Sequence, residues 1–121
     1  MSTALIIDDN RQTADALSQM LDVLDVEARV AYGSGPAMEI LGKITPRLIL
    51  LDINMPGVDG LEVLAYLRRE PRLAPVPGVV ISSDDQPETR NRVLKGGASY
   101  ILIKPATLHV LEGALKKDKV L

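Results

Sequence analysis

Leu48-Ile49-Leu50-Leu51-Asp52-Ile53-Asn54-Met55-Pro56-Gly57-Val58-Asp59-Gly60 decides the fold. Four aliphatic residues in a row, set between Pro46 and the Pro56-Gly57 pair, predict a short strand buried on both faces. Such a strand belongs to a parallel sheet with helices on each side, and this one ends on a carboxylate, Asp52. In open parallel sheets ligands bind beyond the carboxyl ends of the strands, so position alone makes Asp52 a site candidate.

On the N-terminal side, Ala4-Leu5-Ile6-Ile7 repeats the pattern and closes on Asp8-Asp9-Asn10. Asn10 is placed to cap a helix that carries Leu17, Met20, Leu21 and Leu24 at helical spacing. Residues 27–32 predict a second strand, and Gly33-Ser34-Gly35-Pro36 a turn. Pro36 is expected to open a helix striped by Ala37, Ile40, Leu41 and Ile44. Beyond Gly60 a third helix is expected over residues 61–70, and Pro71, Pro75 and Pro77 then lead into Val79-Val80-Ile81. Gly78 weakens that strand, which ends on Ser82-Ser83-Asp84. Pro87 opens a fourth helix, Gly96-Gly97 stops it, and Ile101-Leu102-Ile103 runs to Lys104-Pro105. Leu108, Leu111 and Leu115 line a last helix, whose lysine-rich end suits its dipole. Five strand–helix repeats predict an α/β sandwich around a parallel sheet with right-handed crossovers. The expected organisation is one domain over residues 1–121, with no output domain in this chain.

Composition narrows the function. A chain of 121 residues with net charge -2 suits one globular core and lacks the basic surplus of a nucleic-acid binder. With no cysteine there is no disulfide framework, thiol chemistry or thiolate metal site, and the lone His109 cannot build a histidine metal cluster. Nothing resembles a signal peptide or a membrane span, so a cytoplasmic location is expected. Phe and Trp are absent, and the core must be aliphatic.

The chemistry lies at the strand ends. Asp8-Asp9, Asp52, Ser82 and Lys104 each follow a strand, and a parallel sheet brings them to one edge. Three carboxylates with one ammonium leave a surplus of negative charge that calls for a counter-ion. A hard divalent cation such as Mg2+ suits oxygen ligands shared with a phosphate, and a carboxylate can itself take up a phosphoryl group.

Five motifs in order carry a resemblance. They are Ile6-Ile7-Asp8-Asp9, the run from Pro46 to Asp52, Met55-Pro56-Gly57-Val58-Asp59-Gly60, Val80-Ile81-Ser82-Ser83, and Gly97-Ala98 leading to Lys104-Pro105. The chain resembles, over essentially its full length, a response-regulator receiver domain of two-component signalling. The resemblance implies a flavodoxin-like (βα)5 three-layer sandwich with strand order 2-1-3-4-5. It implies that Asp52 takes a phosphoryl group from a phosphohistidine on a sensor histidine kinase or histidine phosphotransfer protein. It also implies Mg2+ bound by Asp9, Asp52 and the Asn54 backbone carbonyl, with Asp8 acting largely through water. Lys104 would pair with the phosphoryl group, and Ser82 would bond a phosphoryl oxygen and couple it to the fourth helix. The Lys104-Pro105 bond is expected to be cis. Catalysis would be limited to the domain's own phosphorylation and dephosphorylation. The output would pass to a downstream protein partner or an effector outside these residues, with a phosphorylation-dependent homodimer as one form of it. Neither nucleic acid nor membrane would be contacted directly.

Three positions depart from that family's habit. Ile101 falls where an aromatic switch residue is usual, and alternation sends Tyr100 to the opposite face. Ser82 replaces the commoner threonine, and Ala106 stands where phenylalanine often follows Lys-Pro. Asp59, Asp84 and Asp85 suit turn or N-cap positions, with Asp84 a candidate modulator of hydrolysis. Gly33-Ser34-Gly35 imitates a dinucleotide fingerprint, but Met38 occupies its third glycine position. Two other functions share the fold: a protein-interaction domain that no longer switches, and a Mg2+-dependent phosphohydrolase of small molecules. The full acid, serine and lysine set argues against the first, and the lack of a substrate-pocket motif against the second.

Overall fold

The computed structural model describes residues 3–55 and 60–121. The expected turn at Pro56-Gly57-Val58-Asp59 lies outside the described residues. Strands β1 (Thr3–Ile7), β2 (Glu27–Ala31), β3 (Leu48–Asp52), β4 (Gly78–Ser82) and β5 (Tyr100–Ile103) alternate with helices α1 (Arg11–Val23), α2 (Ser34–Leu41), α3 (Gly60–Arg69), α4 (Pro87–Lys95) and α5 (Leu108–Lys117). The sheet is wholly parallel, in the order β2-β1-β3-β4-β5.

Strand alternation divides the core. Leu5, Ile7, Ile49, Leu51, Val80 and Ile101 face α2, α3 and α4, while Ala4, Ile6, Leu48, Leu50, Ile81 and Leu102 face α1 and α5. β3 and β4 are buried along their whole length, as their continuous aliphatic runs require. β2, at one edge, buries only Ala31 fully, and its pattern is correspondingly mixed.

Several helix ends differ from the sequence expectation. Asn10 caps α1 as expected, its Oδ1 accepting from Thr13 N–H at 3.0 Å. α2 opens at Ser34, with Gly33 as its N-cap, so Pro36 is the third helical residue rather than the first. Proline is tolerated there because the first-turn amides have no intrahelical acceptor. Ile44 lies past the end of α2, its N–H bonded to Ile40 O. The N-cap of α4 is Gln86, not Asp84 or Asp85, with Pro87 in the first turn as expected. In α5 the buried face is Leu111, Ala114 and Leu115, while Leu108 is exposed, being the first residue after the Thr107 cap.

Two arginines tie the loops to this frame. Arg68 Nε donates to Gly97 O at 2.9 Å, and its Nη1 donates to Ala74 O at 2.9 Å and Leu73 O at 3.3 Å. Burial pulls the Arg68 pKa down, and these carbonyls offset the desolvation. Gly78 and Gly97 make room for it: a Cβ would stand 2.9 Å from Arg68 Nη2 at the first and 2.7 Å from Arg68 Cγ at the second, where φ is +107°. Arg72 binds Leu41 O, Thr45 Oγ1 and Ile44 O, closing the end of α2.

Candidate functional site

Three strands end in the same local turn. Asp8 Oδ1 accepts Asn10 N–H at 2.9 Å, Asp52 Oδ1 accepts Asn54 N–H at 2.9 Å, and Ser82 Oγ accepts Asp84 N–H at 2.9 Å. Each is a short polar side chain capping the amide two residues on, a bond that Asp and Ser form readily. The turns fix one oxygen of each carboxylate and leave the other to face Lys104. The Asp-x-Asn spacing after the first and third strands is the signal for this in the sequence.

These second oxygens converge on one lysine. Lys104 Nζ lies 3.3 Å from Asp52 Oδ2 and 3.8 Å from Asp8 Oδ2. One carboxylate oxygen each from Asp8, Asp9 and Asp52 can be chosen so that all lie within 4.8 Å of one another. Asp8 and Asp52 are buried, and Asp9 is exposed at the rim. Lys104 is held by its own backbone, whose N–H donates to Ser82 O at 2.8 Å across the β4–β5 edge. The Lys104-Pro105 peptide is cis, as expected. The structure thus brings Asp8, Asp9, Asp52 and Lys104 together, with buried Ser82 at the end of β4. Asn54 is exposed and reaches Asp52 through its amide.

Asp8 is the strained member. Its carboxyl is pushed up to about 6, chiefly by burial, with the Asp52 charge adding to the rise and the Asn10 amide opposing it. Its Oδ2 is buried and has no hydrogen-bond partner among the described residues. An orphaned carboxylate oxygen facing two further acids suits a hard cation with oxygen ligands, and one lysine does not balance three carboxylates.

The seat for β3's exit is a glycine. A Cβ on Gly60 would lie 2.4 Å from Ile53 Cα and 2.9 Å from Asp52 O, so the start of α3 packs directly on the backbone that carries Asp52. Beside Lys104 a cavity of about 500 Å3 opens between α1 and the turn after β5, with Leu17, Met20, Ile81 and the short Ala106 in its walls.

Sequence reasoning missed two participants. Thr89 in α4 is buried and donates through Oγ1 to Asp84 Oδ2 at 2.6 Å, while Asp84 Oδ1 accepts Gln86 N–H at 2.9 Å. Asp84 is therefore held at the mouth of α4. The Arg68 clamp was missed as well, because its partners are backbone carbonyls that leave no pattern in the sequence. Ile101 is buried against the α4 side and Tyr100 packs on the α5 side, with Lys117 Nζ 5.1 Å from its ring, as alternation required.

Known proteins agree with this arrangement. The family model for the response regulator receiver domain matches residues 4–116. An uncharacterized 14.6 kDa protein of Leptolyngbya boryana is 30% identical over 101 residues, covering 84% of this chain and 77% of its own length. The response regulator PleD of Caulobacter vibrioides is 33% identical over 101 residues, 84% of this chain but only 22% of PleD. Among solved structures, the signal receiver domain of a DNA-binding response regulator from Colwellia psychrerythraea superposes with a TM-score of 0.92 at 25% identity, over 100% of both chains. The observed strand order is that of the flavodoxin-like sandwich implied by the motifs. Neither the interaction-only nor the phosphohydrolase alternative is favoured by these relatives. Among the described residues no helix is long and apolar enough to cross a membrane. The chain belongs to the response regulator receiver domains, the phosphoacceptor modules of two-component signalling.

Proposed function

We propose that Asp52 is the residue that takes the phosphoryl group, from a phosphohistidine on a sensor kinase or histidine phosphotransfer protein, and that Mg2+ is the cation of the site. The observation that carries this is the meeting at Asp52 of Lys104, 3.3 Å from Oδ2, and of two further carboxylates, one with an orphaned buried oxygen. Asp8, Asp9, Asp52 and the Asn54 carbonyl would hold the Mg2+. When bound, Mg2+ supplies positive charge beside the phosphoryl oxygens.

The chain's own groups then have distinct tasks. An Asp52 oxygen attacks phosphorus, the P–N bond to the donor histidine breaks, and its electron pair returns to the imidazole nitrogen. Lys104, already beside Asp52 Oδ2, meets the negative charge delivered with the phosphoryl group. Ser82 Oγ accepts Asp84 N–H and keeps its own hydrogen to donate to a phosphoryl oxygen. Water attack on phosphorus reverses the modification, releasing inorganic phosphate and restoring the Asp52 carboxylate. No other turnover is assigned to the domain. The output passes to a protein partner.

Incubation with acetyl phosphate and Mg2+, followed by intact-mass measurement, tests the assignment. Wild type should gain the mass of one phosphoryl group and Asp52→Asn none. A wild type that gains nothing from any small phosphodonor, or an Asp52→Asn protein that still does, would overturn it.

A further inference from the structure

We infer that Asp84 and Thr89 are positioning residues that make the placement of α4 depend on Ser82, an inference that rests on the role of Asp52 and Ser82 proposed above. Only two side chains of α4 are buried, Thr89 and Val93, one turn apart on the inner face. α4 is thus attached to the sheet by few apolar groups, and one of its two anchors is polar. That anchor is not left to solvent. Thr89 Oγ1 donates to Asp84 Oδ2 at 2.6 Å, and the second oxygen of the same carboxylate accepts Gln86 N–H at 2.9 Å. The main chain of Asp84 in turn donates to Ser82 Oγ at 2.9 Å.

These bonds form a continuous line from the end of β4 to the first turn of α4. Ser82 grips the Asp84 amide, and Asp84 grips both the first amide segment and the buried hydroxyl of the helix. The Asp84 carboxyl lies below its usual range because the Thr89 hydroxyl, then the Gln86 amide, favour its charged form, so the grip is on a carboxylate. When Ser82 turns its hydroxyl to a phosphoryl oxygen, the Asp84 amide must follow or lose its acceptor. Asp84 then carries Thr89 with it, and α4 moves at its N-terminal half. The C-terminal end is retained by Arg68, which bonds Gly97 O two residues beyond Lys95. Each Asp84 oxygen is engaged within the loop and helix, one by the Gln86 amide and one by the Thr89 hydroxyl, so the carboxylate is the link of the tether.

The test compares amide chemical shifts before and after adding beryllofluoride, a phosphoryl mimic, with Mg2+, in wild type, Thr89→Val and Thr89→Ser. Fluorine resonance reports adduct formation separately. Wild type should shift at Ser82, Asp84 and residues 88–93. Thr89→Val, isosteric but without the hydroxyl, should form the adduct to the same extent and keep the Ser82 and Asp84 shifts, while shifts at residues 88–93 fall at least twofold. Thr89→Ser should restore them. A purely structural threonine would change the starting spectrum without uncoupling the response. If Thr89→Val does not fold, Asp84→Ala, which removes the acceptor of Thr89 and leaves the main-chain bond to Ser82, carries the same comparison. An undiminished α4 response in the folded variant, or a wild type whose α4 ignores a formed adduct, overturns the tether. Absence of any adduct in wild type instead overturns the role of Asp52.

Discussion

Asp8 accepts one backbone amide through Oδ1 and leaves Oδ2 buried beside two other acids. Burial pushes its carboxyl up to about 6, from 3.8 for the ordinary side chain. The folded state therefore holds a proton that the unfolded state releases, and the slope of stability against pH is negative across this window. The stabilisation is fully present below about pH 4 and is lost as pH rises through about 6, with an upper limit of about 3 kcal/mol. Urea melts without Mg2+ should show wild type losing stability from pH 5 to 7 relative to Asp8→Asn, which does not titrate. Saturating Mg2+ should shrink that difference, since a cation compensates the charge that burial penalises. Equal slopes for the two proteins would show that Asp8 is not the strained acid.

At the scale of elements, β5 and α4 divide the response unequally. Ile101 is already buried, beside Val80 in the sheet and in the core cluster on the α4 side, and it is β-branched, with a stiff χ1. It has no ring to swing, and Tyr100 is committed to the α5 side. Loading with beryllofluoride should therefore move amides between Ser82 and Lys95 far more than those of Ile101 and Tyr100. A rearrangement centred on Ile101, or Tyr100 moving to the α4 side, would contradict this. Elements differ likewise in how far the sequence declared them. β1, β3 and β4 were plain because burial on both faces demands unbroken aliphatic runs, and the acids and serine at their ends were legible for the same reason. The start of α2 was less so, because proline fits either the first or the third helical position and only the extended Gly33 distinguishes them. The Asp84–Thr89 bond was hidden because it spans a loop whose path depends on Ser82.

Across the whole molecule, the Arg68 clamp joins the end of α3, the segment before β4 and the turn before β5. Replacing it with Met keeps the aliphatic stem but leaves these carbonyls without their donor, which should cost on the order of 3 kcal/mol in denaturant melts. A loss below about 0.5 kcal/mol, the usual range for surface sites, would show the clamp to be incidental. A last consequence follows from the strand order. Every neighbouring pair is consecutive in sequence except β1 and β3, which must close across α1, β2 and α2. Asp8 and Asp52 stand at the end of that one seam, so the acids that serve the site repel each other where the chain makes its longest closure. The repulsion should appear in the rate of folding. Asp8→Asn, refolding without Mg2+ and followed by stopped-flow circular dichroism, should fold faster than wild type if the seam closes in the transition state. It should merely unfold more slowly if the seam closes afterwards. The acidic centre then doubles as a kinetic marker, timing when the two halves of the sheet meet.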